Sequence, residues 1–152
     1  MQKVFVYSIL KKGKDEFEPI NKHYMKLISK YADIQDVWVY NKQIDKAQKE
    51  GERQAQAAYT DAFTSSMKGV NIVLDPGGKE LDSESFSRLM AQDEPVAFFI
   101  GGAYGFDDAM RQRATHVISL SRLTMSHKLA RSVLFEQIYR GFTIVNNHPY
   151  HK

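Results

Sequence analysis

Hydrophobic positions along the chain fall into two alternating patterns, which are short continuous runs and runs with helical spacing. The continuous runs are rich in β-branched and aromatic residues, which favour extended backbone. They predict five strands, at residues 3–9, 34–40, 70–74, 96–100 and 116–120. Turn residues close the third run, which is followed by Asp75-Pro76-Gly77-Gly78.

Helical spacing fills the stretches between the strands and predicts helices at 15–31, 44–67, about 82–91, from 107 onwards and 127–142. The second of these is expected to be one long helix that ends near Gly69. Strands and helices therefore alternate, and the later strands are apolar throughout. This pattern predicts a single α/β domain over 1–152, with a mostly parallel sheet covered by helices on both faces.

Composition narrows the function classes. The 152 residues include no cysteine, which excludes a disulfide scaffold, a thiolate metal site and a cysteine nucleophile. The apolar run at 4–10 is too short to cross a membrane. We therefore expect a cytoplasmic protein with no membrane partner.

The net charge of +3 hides an uneven distribution. Residues 75–108 contain eight acids and two Lys or Arg, whereas residues 111–152 contain seven Lys or Arg and a single acid, Glu136. Such asymmetry favours a polyanionic partner such as RNA. A solvated basic face balanced by the acidic stretch would give the same pattern, so charge alone leaves both interpretations open.

Three consecutive predicted strands end in unusual turns. These are LDPGGK at 74–79, IGGAYG at 100–105 and LSRLTMSH at 120–127. Ligands of open α/β sheets bind beyond the carboxyl ends of the strands, and glycine lets the backbone approach them closely. The three turns therefore predict one pocket for a nucleoside-like ligand, although each glycine alone would also suit a simple tight turn.

Common nucleotide and catalytic motifs are absent. The sequence has no GxxxxGK[ST], GxGxxG, HExxH or GxSxG pattern, which disfavours P-loop NTPases, nicotinamide oxidoreductases, zinc proteases and serine hydrolases. His148 and His151 lack a neighbouring carboxylate, and Pro149 between them breaks a helix. We therefore expect no metal site.

Four segments together resemble a known family. They are LDPGGK at 74–79, FFIGGAYGF at 98–106, ISLSRLTMSHKLARSVLFEQIYR at 118–140 and NNHPYHK at 146–152. They are similar to the corresponding segments of the ribosomal RNA large subunit methyltransferase H family. Members of this family are SPOUT-class enzymes that methylate N3 of a pseudouridine. The resemblance spans the chain, with two departures: Ser126 stands where the family usually has proline, and the glycine after the first strand comes only at Gly13.

The resemblance implies a C-terminal trefoil knot and S-adenosylmethionine as cofactor, bound in the knotted cleft. It also implies a homodimer that acts on large-subunit ribosomal RNA within the assembled ribosome. DNA is not an expected partner. The cofactor-binding positions that it implies are Leu74, Gly101, Gly102, Leu120, Ser121, Arg122, Leu123, Thr124 and Met125.

The candidate catalytic residues are Arg140, His148, Tyr150 and His151. N3 of pseudouridine carries a proton, so a base, or donors that stabilise negative charge on the neighbouring oxygens, must contribute. The sequence does not identify the base. The alternative function is a non-catalytic RNA- or ribosome-binding protein of the same fold. Helix 127–142 would suit a dimer face or a buried core helix equally well.

Overall fold

The chain forms five strands and six helices over Met1–Lys152, all of which the computed structural model describes. The strands are β1 (Gln2–Ile9), β2 (Ala32–Val39), β3 (Val70–Glu80), β4 (Val96–Ile100) and β5 (His116–Ser119). The helices are α1 (Glu18–Ile28), α2 (Lys42–Glu50), α3 (Glu52–Thr64), α4 (Ser83–Ser87), α5 (Asp108–Arg113) and α6 (His127–Val145). A 3-10 turn, Arg88–Met90, follows α4, and no helix is long and apolar enough to cross a membrane.

The strands form one sheet in the order β2–β1–β4–β3–β5, and every pairing is parallel. The carboxyl ends of all five strands therefore lie at one edge of the sheet, which we call the carboxyl edge. This arrangement confirms the predicted fold class. The C-terminal trefoil knot stays a prediction.

Each face of the sheet carries its own hydrophobic core, because neighbouring residues of a strand point to opposite sides. On one face, Val6 and Phe98 pack with Leu134 of α6. On the other face, Phe99 packs with Phe63 of α3. Helices thus cover both sides of the sheet, which explains why the later strands are apolar throughout.

The predicted long helix at 44–67 is wrong, because the structure divides it into α2 and α3 at Gly51. Gly51 has a φ of +142°, a conformation that side chains other than glycine rarely adopt. A glycine inside a helix also costs about 1 kcal/mol relative to alanine. The break lets both short helices bury an apolar stripe, with Ile44 in α2 and Tyr59 and Phe63 in α3.

Strand β3 runs further than predicted, to Glu80, with an interruption after Leu74. Leu74 and Lys79 both pair with Ile118 of β5, so residues 75–78 bulge out of the ladder. The bulge requires glycine at position 78, where a Cβ atom would lie 2.6 Å from the backbone carbon of Ile118. The turn predicted at 75–78 is therefore a bulge within a strand.

Helix α6 is a core helix. Leu134, Ile138 and Phe142 are buried within this chain, so the face with four-residue spacing is not available as a dimer surface. The helix also ends at Val145, three residues beyond the predicted bound of 142.

A buried arginine fixes α6 to the sheet. Arg131 is 1% exposed, and its guanidinium donates to both carboxylate oxygens of Asp36 on β2, at 2.9 and 2.7 Å. It also donates to the Ser8 hydroxyl of β1 at 2.6 Å. The guanidinium carbon lies 5.4 Å from the Trp38 ring centroid and 5.6 Å from that of Phe135. One side chain therefore joins α6 to two strands.

We predict that Arg131→Met lowers the free energy of unfolding by about 3–5 kcal/mol, because it leaves the Asp36 carboxylate without its cation. Urea unfolding followed by circular dichroism measures the change. Arg122→Met is the matched control, since Arg122 is 86% exposed and 3.8 Å from Glu80, and it should change stability by less than about 0.5 kcal/mol. Equal effects of the two substitutions would show that the buried pair does not hold α6.

Candidate functional site

A cavity of about 460 Å³ opens at the carboxyl edge, between the ends of β3, β4 and β5. Its volume lies within the usual range for small-molecule sites. Eight of the nine predicted cofactor residues line it: Leu74, Gly101, Gly102, Leu120, Ser121, Leu123, Thr124 and Met125. The ninth, Arg122, lies outside the lining with its side chain in solvent.

The first loop of the cavity, residues 75–78, is fixed by Asp75. One carboxylate oxygen accepts from the backbone N–H of Gly77 at 2.8 Å, and the other lies 3.3 Å from Nε of Arg111 on α5. Both Asp75 and Arg111 line the cavity. The sequence showed Asp75 in the acidic stretch and Arg111 in the basic stretch, but it gave no signal that these two residues would form an ion pair.

The second loop, residues 101–105, is a tight turn in which Gly105 has a φ of +71°. Gln56 of α3 holds it by donating to the Tyr104 carbonyl at 2.9 Å. A Cβ atom at Gly102 would lie 2.5 Å from the Tyr59 hydroxyl oxygen. Glycine at 102 is therefore required by the buried Tyr59, and the predicted contact of Gly102 with a ligand stays a prediction.

The third loop, residues 120–126, is shaped by its serines. Ser119 donates to the Ser121 carbonyl at 2.9 Å, and the Ser121 hydroxyl accepts from the Leu123 N–H at 2.9 Å. Ser126, where the family usually has proline, caps α6 by accepting from the Leu129 N–H at 3.3 Å. The departure from the family pattern thus replaces a stiff residue with a capping residue.

Leu123 and Met125 differ in their surroundings. Leu123 is 79% exposed, an unusual position for a leucine, and it lines the cavity. Met125 is partly buried in the same wall. Leu123 is therefore not a core residue, and its side chain is free to cover a ligand.

At the C-terminus, three of the four candidate catalytic residues meet around Glu136. Its Oε1 accepts from Arg140 Nε at 2.9 Å, from Arg140 Nη2 at 2.6 Å and from the Tyr150 hydroxyl at 3.1 Å. Arg140 also lies over the Tyr150 ring, 4.7 Å from its centroid. The hydrogen bond between Arg140 Nη1 and His151 Nδ1 is 3.0 Å long. We call this group of four residues the tail network.

His148 does not join the tail network. Its backbone N–H donates to the Thr143 carbonyl at 2.8 Å, and its side chain is exposed without a hydrogen-bond partner. Asn147, with a φ of +57°, turns the chain back at this point.

The hydrogen bonds of His151 fix its neutral tautomer. Arginine only donates, so Nδ1 of a neutral His151 must accept from Arg140. The proton then lies on Nε2, which donates to Oε1 of Glu84 at 3.0 Å. This bond holds the pKa of Glu84 below its ordinary value. Both ring nitrogens of His151 are therefore occupied, and His148 is the candidate imidazole that remains free.

Tyr150 and Arg140 are set up as donors. Burial raises the pKa of the Tyr150 phenol well above its ordinary value, and hydrogen bonding with Tyr24 and the Glu136 carboxylate raise it further. The hydrogen bond to Glu136 also raises the pKa of Arg140. Tyr150 therefore favours its protonated form at neutral pH, which suits a hydrogen-bond donor better than a base. Sequence analysis assigned Glu136 no role at the site, although its position one turn before Arg140 was a usable signal. For Glu84 the sequence held no signal.

The tail network lies further along α6 than the cavity, and His151 is its member that lines a neighbouring cavity. A second cavity, of about 550 Å³, is lined by His151 and Lys152 and shares Ser119 and Leu120 with the first. Arg140 itself follows Ala130, a residue of the first cavity's wall, by ten positions, or about 15 Å along the helix axis. His148 follows Arg140 by a further eight positions.

Comparisons with known proteins agree with this architecture. A family model described as a predicted SPOUT methyltransferase matches residues 2–151. Two relatives carry the name Ribosomal RNA large subunit methyltransferase H. The one from Aliarcobacter butzleri is 48% identical over 150 residues, which cover 99% of each chain. The one from Nitratiruptor sp. is 45% identical over 154 residues and covers all of both chains.

A solved structure, titled as a probable methylase family protein from Haemophilus influenzae, has a TM-score of 0.58 at 9% identity. The match covers 99% of this chain and 71% of the other, and it supports the fold alone. Because the family model and the near relatives span almost all of its length, the chain belongs to the SPOUT methyltransferase family and, within it, to the group of ribosomal RNA large subunit methyltransferase H.

Proposed function

We propose that this chain transfers a methyl group from S-adenosylmethionine to N3 of a pseudouridine in large-subunit ribosomal RNA of the assembled ribosome. The observation that carries the proposal is the cavity at the carboxyl edge, whose walls are the three loops with the family's motifs. The tail network, further along α6, supplies groups suited to the acceptor. An enzyme of ribosomes would work in the cytoplasm.

The residues of the cavity fit the cofactor. When bound, S-adenosylmethionine supplies a methyl group on a positively charged sulfur, so transfer needs no metal. Leu74, Leu120 and Met125 offer apolar surface to a nucleoside, and the backbone of residues 101–105 offers N–H and C=O groups for its polar edges. Glu52 also lines the cavity, and its carboxylate favours a cationic ligand.

The tail network suits an acceptor that gains negative charge. As N3 loses its proton, the neighbouring carbonyl oxygens become more negative and are stabilised by fixed donors. Three N–H groups of Arg140 are engaged within the chain, at Nε, Nη1 and Nη2. A guanidinium has five, so two remain for the substrate. We assign charge stabilisation to Arg140 and Tyr150, and we favour His148 or solvent as the proton acceptor.

A homodimer would bring these groups to a cavity. Within one chain, α6 separates Arg140 from the cavity wall by about 15 Å, and His148 lies beyond it. Leu129 and Val145 on α6 are 39% and 40% exposed, which leaves apolar side chains for a second copy to cover. We therefore propose that the tail network of one protomer serves the cavity of its partner.

The direct test of the proposed function is methyl transfer to ribosomes. Ribosomes from cells without this protein should accept label from S-adenosylmethionine, and mass mapping should place one methyl group on N3 of a pseudouridine in large-subunit RNA. Free ribosomal RNA should accept little. Tight binding of the protein to ribosomes without label would instead support the non-catalytic alternative.

The cofactor site has its own test in Leu123→Ala. Loss of the exposed side chain should weaken S-adenosylmethionine binding by about 1–2 kcal/mol, because apolar cover of the ligand is lost. This corresponds to roughly a five- to thirtyfold higher Kd in calorimetry. Ile20→Ala is the matched control, since Ile20 is also an exposed large apolar residue but lies outside the cavity. An unchanged Kd for Leu123→Ala would remove the third loop from the cofactor site.

A further inference from the structure

Three lysines crowd the loop after β1. Lys11, Lys12 and Lys14, which we call the lysine loop, are all exposed, and none of them forms an ion pair with an acid of the chain. Lys22, Lys46 and Lys49, in contrast, each lie within 4.0 Å of a carboxylate one helical turn away. The charge of the lysine loop is therefore not compensated by ion pairs within the fold.

The lysine loop lies at the carboxyl edge, beside the cavity. It begins just after Leu10, whose N–H donates to the Val39 carbonyl at the end of β2, at 3.1 Å. On its other side, Ile9 packs close to the second cavity loop, since a Cβ atom at Gly102 would lie 3.3 Å from Ile9 Cγ2. An extended polymer bound at the cavity would thus reach the lysines along the same edge of the sheet.

Lys128 continues this surface from the other direction. It lies in the first turn of α6, just after the third cavity loop, and its Nζ lies 3.4 Å from the Lys14 carbonyl, to which it donates. A cation in the first turn of a helix opposes the helix dipole and costs a few tenths of a kcal/mol. Its position is therefore not explained by the stability of α6.

The chemistry of this surface fits phosphodiesters. Lysine ammonium groups on flexible side chains act as point charges that bind phosphate without reading base sequence. Tyr40, whose ring centroid lies 5.9 Å from Lys11 Nζ, adds an aromatic surface. Most acids nearby are already engaged: Asp36 with Arg131, Asp45 with Tyr40 and Lys49, and Glu18 with Lys22. Asp15 is buried and accepts from the Phe17 N–H. Glu16 is the one exposed acid beside the loop that has no partner, and it offsets one of the three lysine charges.

We propose that Lys11, Lys12 and Lys14 bind the sugar–phosphate backbone of the RNA that flanks the target nucleotide and so hold the substrate at the carboxyl edge. This inference rests on the proposed function for the identity of the RNA. The lysine loop is a binding surface and takes no part in methyl transfer itself.

The test is the variant with Lys11→Gln, Lys12→Gln and Lys14→Gln together. Its control is Lys3→Gln, Lys26→Gln and Lys30→Gln, which removes the same charge from exposed lysines toward the opposite edge of the sheet, where β1 begins and α1 ends. Binding of both variants to assembled ribosomes is measured between about 50 and 300 mM salt, a range in which phosphate contacts dominate the salt dependence. Calorimetry with S-adenosylmethionine and light scattering show whether the cavity and the assembly state are intact.

For the loop variant, we expect binding at least about tenfold weaker at low salt and a log–log salt slope smaller by about 2–3, since each phosphate contact contributes slightly less than one. Methylation should show a raised KM with kcat nearly unchanged. The control variant should resemble the wild type in all of these measurements, and cofactor affinity should be unchanged in both.

Equal ribosome binding and equal salt slopes for the two variants would overturn the proposal. A changed molecular mass of the loop variant in light scattering would also overturn it, because the loop would then be an assembly contact. Failure of the proposed function is distinguishable. If the wild type binds ribosomes without methylating them and the loop variant still loses salt-dependent binding, the surface stands and the catalytic proposal falls.

Discussion

Parallel pairing of all five strands brings every strand's carboxyl end to one edge of the sheet, and the chemistry of the molecule depends on this constraint. Three adjacent ends carry the loops that enclose the cavity, and the end of β1 carries the lysine loop. Arg131 preserves the arrangement by joining α6, which begins directly after the third loop, to β1 and β2. Cofactor and RNA would therefore meet the same edge from two sides.

Glu136 organises the C-terminal residues, as Arg131 organises the contact between α6 and the sheet. A single carboxylate oxygen orients both Arg140 and Tyr150, while Glu84 and Arg140 determine which nitrogen of His151 carries its proton. The tail is thus a structured element rather than a frayed end. Because Arg140 lies about 15 Å along α6 from the cavity wall, we propose that a second protomer supplies the groups that face a bound substrate.

The sequence predicted the succession of strands and helices along the chain, the mostly parallel sheet and the three loops, because β-branched runs and strand-end glycines are local signals. It did not predict the order of the strands within the sheet. It could not show that Gly51 would divide a helix, since glycine is tolerated in many helices. It also gave no sign that Tyr59, 43 positions earlier, would require glycine at position 102. The pairings of Asp75 with Arg111 and of Glu84 with His151 depend on tertiary packing, which no local pattern encodes.

The most direct test of this account is a mixing experiment with two inactive variants, Leu123→Arg in the cavity and Arg140→Ala in the tail network. If each site combines the cavity of one protomer with the tail of its partner, random mixed dimers contain one intact site in each heterodimer. The mixture should then recover about a quarter of wild-type ribosome methylation. If each tail served its own cavity, neither protomer of a heterodimer would be complete, and no recovery of methylation would contradict the account.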